Sequence, residues 1–340
     1  MIMESVKNNV TSNAGNKRAF TIAGTENIFQ TLSSRLYKKP ICAIIRETVS
    51  NAIDANIEAG VDEQITLHLP SSIEPEFYVE DHGIGMNEET IYNVYTQYGN
   101  STKSGSDDFI GVLGLGSKTP FSYTSQFTVI SSKDGIKNTF VAYLDEEGIP
   151  SISKVGSEPC DQNGTKVSFP VKISDIADFY SDAASTLLFS MKMPKLVGDA
   201  DHFWYVADVK DEAEFVELRN IIKENYGLSK KDEKVDKIYR IMNRSSYSSI
   251  IVEMGGVAYS VSTSELLDGK ASTWNGLIGY FFDNYRMLVL HFGIDSGISI
   301  QSSREELQYT EKTKNILNKR IVSLFVAEAT KEVESIVNVA

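Results

Sequence analysis

Arg46-Glu47-Thr48-Val49-Ser50-Asn51-Ala52-Ile53-Asp54-Ala55 is the stretch on which the reading of the chain turns. Ile41, Ile44, Ile45, Val49, Ala52 and Ile53 recur at helical spacing, Pro40 suits the first turn, and Gly60 supplies a stop, so the spacing predicts a helix. Glu47 and Asn51 lie one turn apart, with Asp54 three residues further on. The three polar groups therefore take neighbouring positions on one side, opposite the aliphatic stripe. The Asn51 carbonyl oxygen can serve a hard cation such as magnesium, and Glu47 can take a proton from water. By itself, the pattern reads more simply as the solvated face of an amphipathic helix.

Three further segments follow in order. Asp81-His82-Gly83-Ile84-Gly85-Met86 comes directly after the strand-like Phe77-Tyr78-Val79-Glu80. A carboxylate at a strand end can accept a hydrogen bond from an exocyclic amine, and the glycines let the chain turn closely around a flat ring such as adenine. The same residues also suit a plain tight turn with Asp81 in solvent. Gly111-Val112-Leu113-Gly114-Leu115-Gly116-Ser117-Lys118, with Thr119-Pro120 behind it, can converge backbone N–H groups on phosphate oxygens. It is neither a P-loop, whose terminal Gly-Lys-Ser/Thr spacing is missing, nor a Rossmann turn, since no βαβ unit surrounds it. Last, Asn163-Gly164-Thr165 opens the strand Lys166-Val167-Ser168-Phe169 and, read alone, is a hairpin turn.

Taken in order, ExxxNxxDA, DxGxGM, GxxGxG and GT resemble the four motifs of the Bergerat-fold ATPases, the GHKL superfamily of gyrase, the heat-shock chaperone, histidine kinases and MutL. The resemblance implies ATP and magnesium as cofactors and an ATPase in which Glu47 activates the attacking water as general base. It also implies that Asn51 ligates magnesium, Asp81 receives the adenine amino group, and Thr165 assists through an ordered water. Asp54 and Gly85 would line base and sugar beside Gly83, Met86 would pack on the ring, and Gly111, Gly114, Leu115, Gly116 and Ser117 would form the phosphate loop. Lys103 and Lys118 are basic candidates for the phosphates, each equally a solvated lid charge.

Ser101-Thr102-Lys103, the run from Asp108 to Thr124, Arg46-Glu47 and Val141-Ala142-Tyr143 are similar to the rIIA proteins of T-even-type bacteriophages. That likeness covers residues 18 to 170 and thins later to segments such as Ser303-Arg304-Glu305-Glu306-Leu307. It implies a role in lysis timing or in protection from host or prophage exclusion. The region after Gly198 resembles a transducer domain, which in gyrase-like relatives returns a basic side chain to the terminal phosphate. Arg304, in the polar run Gln301-Ser302-Ser303-Arg304, is the nominee for that role. The same residues also read as a helix N-cap at Ser302 or Ser303, with Glu305 and Glu306 in the first turn.

The fold class expected is α+β: an N-terminal sandwich of helices on a mixed, mostly antiparallel sheet, followed by a smaller α/β transducer-like domain. The expected divisions are an arm at 1–20, the ATP-binding domain at 21–195 and the second domain at 196–340. A helix is expected over Ile28, Phe29, Leu32 and Leu36, strands at Phe203 to Val209 and Leu277 to Phe282, a solvated loop from Ser229 to Lys237, and a closing helix from Glu311.

With 33 basic against 46 acidic residues, the formal charge is -13, which disfavours non-specific nucleic-acid binding. Two cysteines, Cys42 and Cys160, suggest no disulfide framework, and four scattered histidines suggest no transition-metal site. With no apolar run of membrane-spanning length, the chain is expected in the cytoplasm, that of a host cell if phage-encoded; peripheral membrane association is not indicated. Two functional readings remain open: an ATPase switch that forms an ATP-dependent homodimer and acts on a protein partner, or a non-catalytic interaction protein that senses ATP and ADP. A histidine-kinase-like phosphotransferase ranks behind both.

Overall fold

The computed structural model describes residues 36–98, 116–224, 227–230, 237–238, 241, 249–268, 285–301 and 303–337. Helix α1 (Pro40–Ala59) starts with proline in its first turn and stops at Gly60, whose φ of 68° is left-handed. Its aliphatic side carries Ile44, Ile45, Val49, Ala52 and Ile53 into the core. The polar side is buried too: Glu47 is 5% exposed and Asp54 0%. That rules out a solvated face.

The first sheet is built from β1 (Thr66–Leu69), β2 (Glu76–Glu80), β3 (Gln126–Lys133), β4 (Ile136–Leu144), β5 (Pro150–Pro159), β6 (Gly164–Pro170) and β7 (Lys195–Gly198). Their order is β5-β4-β3-β6-β2-β1-β7, antiparallel throughout except for the parallel β1–β7 pair. After the short α2 (Glu88–Thr90) and a 3-10 turn (Gly116–Ser122), α3 (Ile176–Leu187) packs beside α1. Phe179 of α3 meets Phe77 and Phe169 at ring-centroid distances of 5.3 and 6.2 Å, and Tyr123 stands edge-on to it at 5.5 Å. This aromatic knot joins helix layer to sheet.

Strand β7 falls where the domain break was expected, and the first sheet runs through Gly198, three residues past residue 195. Beyond it come α4 (Ala200–Val206) and α5 (Glu212–Glu224). A four-stranded sheet follows, of β8 (Gly227–Lys230), β9 (Ser249–Met254), β10 (Val257–Ser260) and β11 (Tyr285–His291), in the order β10-β9-β11-β8. The chain also forms α6 (Thr263–Leu266) and closes with α7 (Glu311–Val337). Alternation along β9 and β11 covers both faces. Ile251, Met287 and Val289 join Phe203, Phe215, Leu218 and Ile222 in the first core, whereas Ile250, Val252, Leu288 and Leu290 pack with Leu317, Ile321 and Phe325 of α7.

Two expectations are corrected, and one strand is new. The run from Phe203 is helical, because the Asp199 carboxylate accepts the His202 N–H at 3.0 Å and fixes a helix start. The expected loop from Ser229 begins inside β8. Strand β5 went unforeseen because it is a polar edge strand with proline at both ends, which blunts the edge and hides the alternation. The helix expected over Ile28 to Leu36 lies almost wholly, and the strand at Leu277 to Phe282 wholly, outside the described residues, as does the N-terminal arm. Among the described residues, no helix is long and apolar enough to cross a membrane.

Phe179 is 0% exposed. Phe179→Ala should therefore lower the unfolding free energy by about 3 to 5 kcal/mol, read from urea denaturation of the two proteins.

Candidate functional site

Asp81 leaves the end of β2 directly opposite the start of β6, where its N–H bonds the Thr165 carbonyl at 2.9 Å. Its Oδ1 accepts the N–H groups of Gly83 at 2.9 Å and Thr165 at 3.1 Å, which leaves Oδ2 for another donor. Burial pushes the Asp81 carboxyl up from 3.8 to about 6, against the pull of those two N–H groups. A buried carboxylate with one oxygen saturated is thus offered at a strand end in the middle of the sheet, and the tight-turn reading with Asp81 in solvent is set aside.

Close approach dictates the glycines around it. A Cβ on Gly164, at φ 148°, would sit 2.2 Å from the Asp81 carbonyl oxygen, and one on Gly85, at φ 61°, would sit 1.9 Å from the Ser132 carbonyl oxygen. The turn is stitched on both sides: the His82 N–H donates to Asn56 Oδ1 at 2.9 Å, and the Met86 N–H to Ser131 Oγ at 2.8 Å. The Thr165 hydroxyl pairs with the same Ser131 hydroxyl at 2.9 Å.

At the other end, Glu47 faces two guanidinium groups. Its Oε1 accepts from Arg46 Nε at 3.2 Å and from Arg304 Nη1 at 3.5 Å. Gly116 passes so close that a Cβ there would lie 2.6 Å from Glu47 Oε2 and would push the carboxylate aside. Arg304 sits in the loop Gln301–Glu306, closed by the Ile300–Leu307 bridge, with an unusual φ of 56°. Burial opposes its charge, but Glu47 and Tyr259 hold the guanidinium above its ordinary value. Asn51 is half-buried one turn beyond Glu47, and Asp54 is enclosed on the same helix.

Lys118 is not a solvated charge. Its Nζ donates to the Gln97 carbonyl at 2.7 Å beside the rings of Tyr95 and Tyr98, and burial pushes it down to about 8. The Tyr95 hydroxyl donates to the Ser117 carbonyl at 3.1 Å. Gly83 abuts Ala55 of α1, and Met86 is partly buried against the first core. Lys103, Gly111, Gly114 and Leu115 lie outside the described residues.

The helix cap expected near Ser303 is also corrected: Ser303 to Glu306 form a turn, and the next helix starts only at Glu311. Asn56, Ser131, Arg46 and Tyr259 went unforeseen in the sequence. Asn56 carried a signal, a polar residue on the stripe of Val49 and Ala52; Ser131, in mid-strand, carried none.

Residues 40–163 match the family model for histidine kinase-, DNA gyrase B- and HSP90-like ATPases. Over that stretch the chain is similar to GHKL-type ATPase domains. A curated relative is the chaperone protein HtpG of Wolbachia sp. subsp. Brugia malayi (strain TRS), 30% identical over 172 residues. That match covers 41% of this chain but only 27% of the chaperone's own length. Among solved structures, the ATPase region of Saccharomyces cerevisiae topoisomerase II aligns over 85% of each chain at 14% identity and a TM-score of 0.47. The matched stretch contains Glu47, Asn51, Asp54, Asp81 and the glycine loop, whereas Thr165 and Arg304 fall just beyond and far beyond it.

Since Asp81 rises from 3.8 to about 6 on folding, the native carboxyl binds its proton more readily than the unfolded one. Its contribution to stability is therefore full below pH 3.8 and is lost as pH rises through about 6. Carbon-13 NMR titration should find one aspartate carboxyl with a midpoint near 6, absent in Asp81→Asn. A midpoint at the ordinary value would mean that Asp81 is solvated.

Proposed function

We propose that this chain binds ATP with magnesium, hydrolyses it, and uses the cycle as a nucleotide-gated conformational and dimerisation switch of the rIIA-like kind. The observation that carries the reading is the pair of buried carboxylates, Asp81 at one end of the motif set and Glu47 at the other, with Arg304 brought beside Glu47 from the far part of the chain. The donor set suits the ligand. Asp81 Oδ2 would take the adenine amino group. Gly83 and Gly85, packed against Ala55 and Ser132, would let the chain line the base, and Met86 would pack on the ring. Thr165 and Asp54 would hold base and sugar through ordered water and hydrogen bonds.

The Asn51 side-chain oxygen would ligate magnesium, which when bound would draw charge from the phosphates. Gly111, Gly114, Leu115, Gly116 and Ser117 would offer backbone N–H groups to the phosphates. Lys103 and Lys118 would be local cations, Lys118 only after leaving Gln97. Glu47 would remove a proton from the attacking water as general base, and Arg304 would bind the terminal phosphate. We place the protein in the cytoplasm, of a host cell if phage-encoded, acting on a protein partner.

One observation favours the second reading, a non-catalytic ATP sensor: Glu47 is engaged by Arg46 and Arg304 rather than standing clear. Calorimetry and a phosphate-release assay separate the two. Asp81→Asn should weaken adenine nucleotide binding by about 1 to 3 kcal/mol, the worth of a buried charge-assisted bond. Glu47→Ala should keep binding while hydrolysis falls by about two to four orders of magnitude. Binding without turnover in the unsubstituted protein would establish the sensor instead.

The switch also has a direct readout in light scattering. A non-hydrolysable ATP analogue should raise the mass to a dimer, ADP less so, and removal of residues 1–18 should weaken the dimer. A mass indifferent to nucleotide would end the switch reading.

A further inference from the structure

The start of α1 lacks caps of its own. Its N-cap Lys39 makes no side-chain cap, no acidic residue stands in its first turn, and Pro40 brings no N–H. The donors there are met by carboxylates from elsewhere. Asp182 of α3 accepts the Cys42 N–H. Glu305, far along the chain, accepts the Lys39 N–H on Oε1 at 2.8 Å and the Lys38 N–H on Oε2 at 2.9 Å. One oxygen per donor makes this a two-point grip, favoured further by the positive end of the helix dipole.

The neighbours of Glu305 reinforce it. Glu306 accepts from Lys38 Nζ at 2.6 Å and from Gln301 Nε2 at 3.0 Å, while the Ser303 carbonyl accepts from Arg46 Nη2 at 3.0 Å. Arg304 is therefore flanked in sequence by two residues, Ser303 and Glu305, that are each fastened to α1. Lys39 and Glu47 are eight residues apart, so the loop contacts two points separated by about 12 Å along the helix axis. Such a loop cannot pivot about one contact without breaking the other. The flanking grips also hold the left-handed backbone of Arg304, which an arginine adopts only under constraint.

We propose that Glu305 is the positioning residue for Arg304: by clamping the uncapped start of α1, it fixes where the Arg304 guanidinium stands relative to Glu47 and, on the ATPase reading given above, to the terminal phosphate. Glu305 does not itself touch nucleotide. It acts only through Arg304, and this separates it from an ordinary helix cap, whose loss would loosen α1 and weaken all ligands alike.

The test compares Glu305→Ala, Arg304→Ala and the double variant in two measurements on the full chain. In nucleotide-free protein, the Lys38 and Lys39 amide hydrogens should exchange at least about tenfold faster in Glu305→Ala than in the unsubstituted protein. In calorimetry, the preference for a non-hydrolysable ATP analogue over ADP should fall by the same factor in Glu305→Ala as in Arg304→Ala. ADP affinity should stay constant, and the double variant should lose no more than either single one. Unchanged amide exchange overturns the proposal, because the clamp is then absent. Faster exchange with the analogue preference intact also overturns it, leaving a cap alone, as do additive losses or equal losses for both nucleotides. If the unsubstituted protein binds neither nucleotide, the ATPase reading itself falls and takes the positioning role with it, while the exchange data still report whether the clamp exists.

Discussion

Charge taken out of water on α1 is the constraint from which the rest of this structure follows. A helix with aliphatic residues on one side and Arg46, Glu47, Asp54 and Asn56 buried on the other meets solvent fully only in its last turn, at Ile57 and Glu58. Each buried charge or amide then needs a partner, since an unmet one costs several kcal/mol. Arg46 takes Glu47 and the Ser303 carbonyl, Glu47 takes Arg304, and Asn56 takes the His82 N–H and the Glu63 carbonyl. The strand-end turn at Asp81 and the distant loop at Arg304 are thereby both held to one helix. The two halves of the candidate site share a scaffold.

What could be read from sequence was what lies within one or two turns of itself. The helical repeat from Ile41 to Ile53, the stop at Gly60 and the glycines after Asp81 are local, and the structure has α1, a left-handed Gly60 and a left-handed Gly85 there. The partners of these elements were not legible. Arg304 meets Glu47 across 257 positions, and no periodicity encodes such a contact. Arg304 could be nominated only as the basic residue of a polar run in a region that resembles a transducer domain.

The errors have the same origin. Phe203 to Val209 is rich in aromatic and β-branched residues, a strand composition, yet Phe203, Trp204 and Ala207 are buried at helical spacing behind the Asp199 cap. Tertiary packing overrode propensity. In β5, by contrast, packing contributes too little to leave a pattern, because most of its residues are exposed or half-buried at the sheet's edge. Ser131 was hidden for a third reason: a serine in mid-strand looks neutral until the Met86 N–H and the Thr165 hydroxyl arrive beside it.

Field and net charge point in opposite directions here, and that bears on what the site can hold. The chain carries a formal charge of -13, so a polyphosphate approaching the surface at large is repelled. Within the motif set, Arg46 and Arg304 cluster at the Glu47 end, and Asp81 lies at the other, beside Glu80 and His82. Both arginines are largely buried, so solvent screens them far less than it screens the surface acids. A ligand with an anionic end and an amine-bearing neutral end fits that gradient in one orientation only. On the ATP-binding reading proposed above, the acidic exterior would leave ligand capture to a short-range, oriented field built by a few enclosed side chains, and the placement of the Arg304 loop would matter more than the total of basic residues.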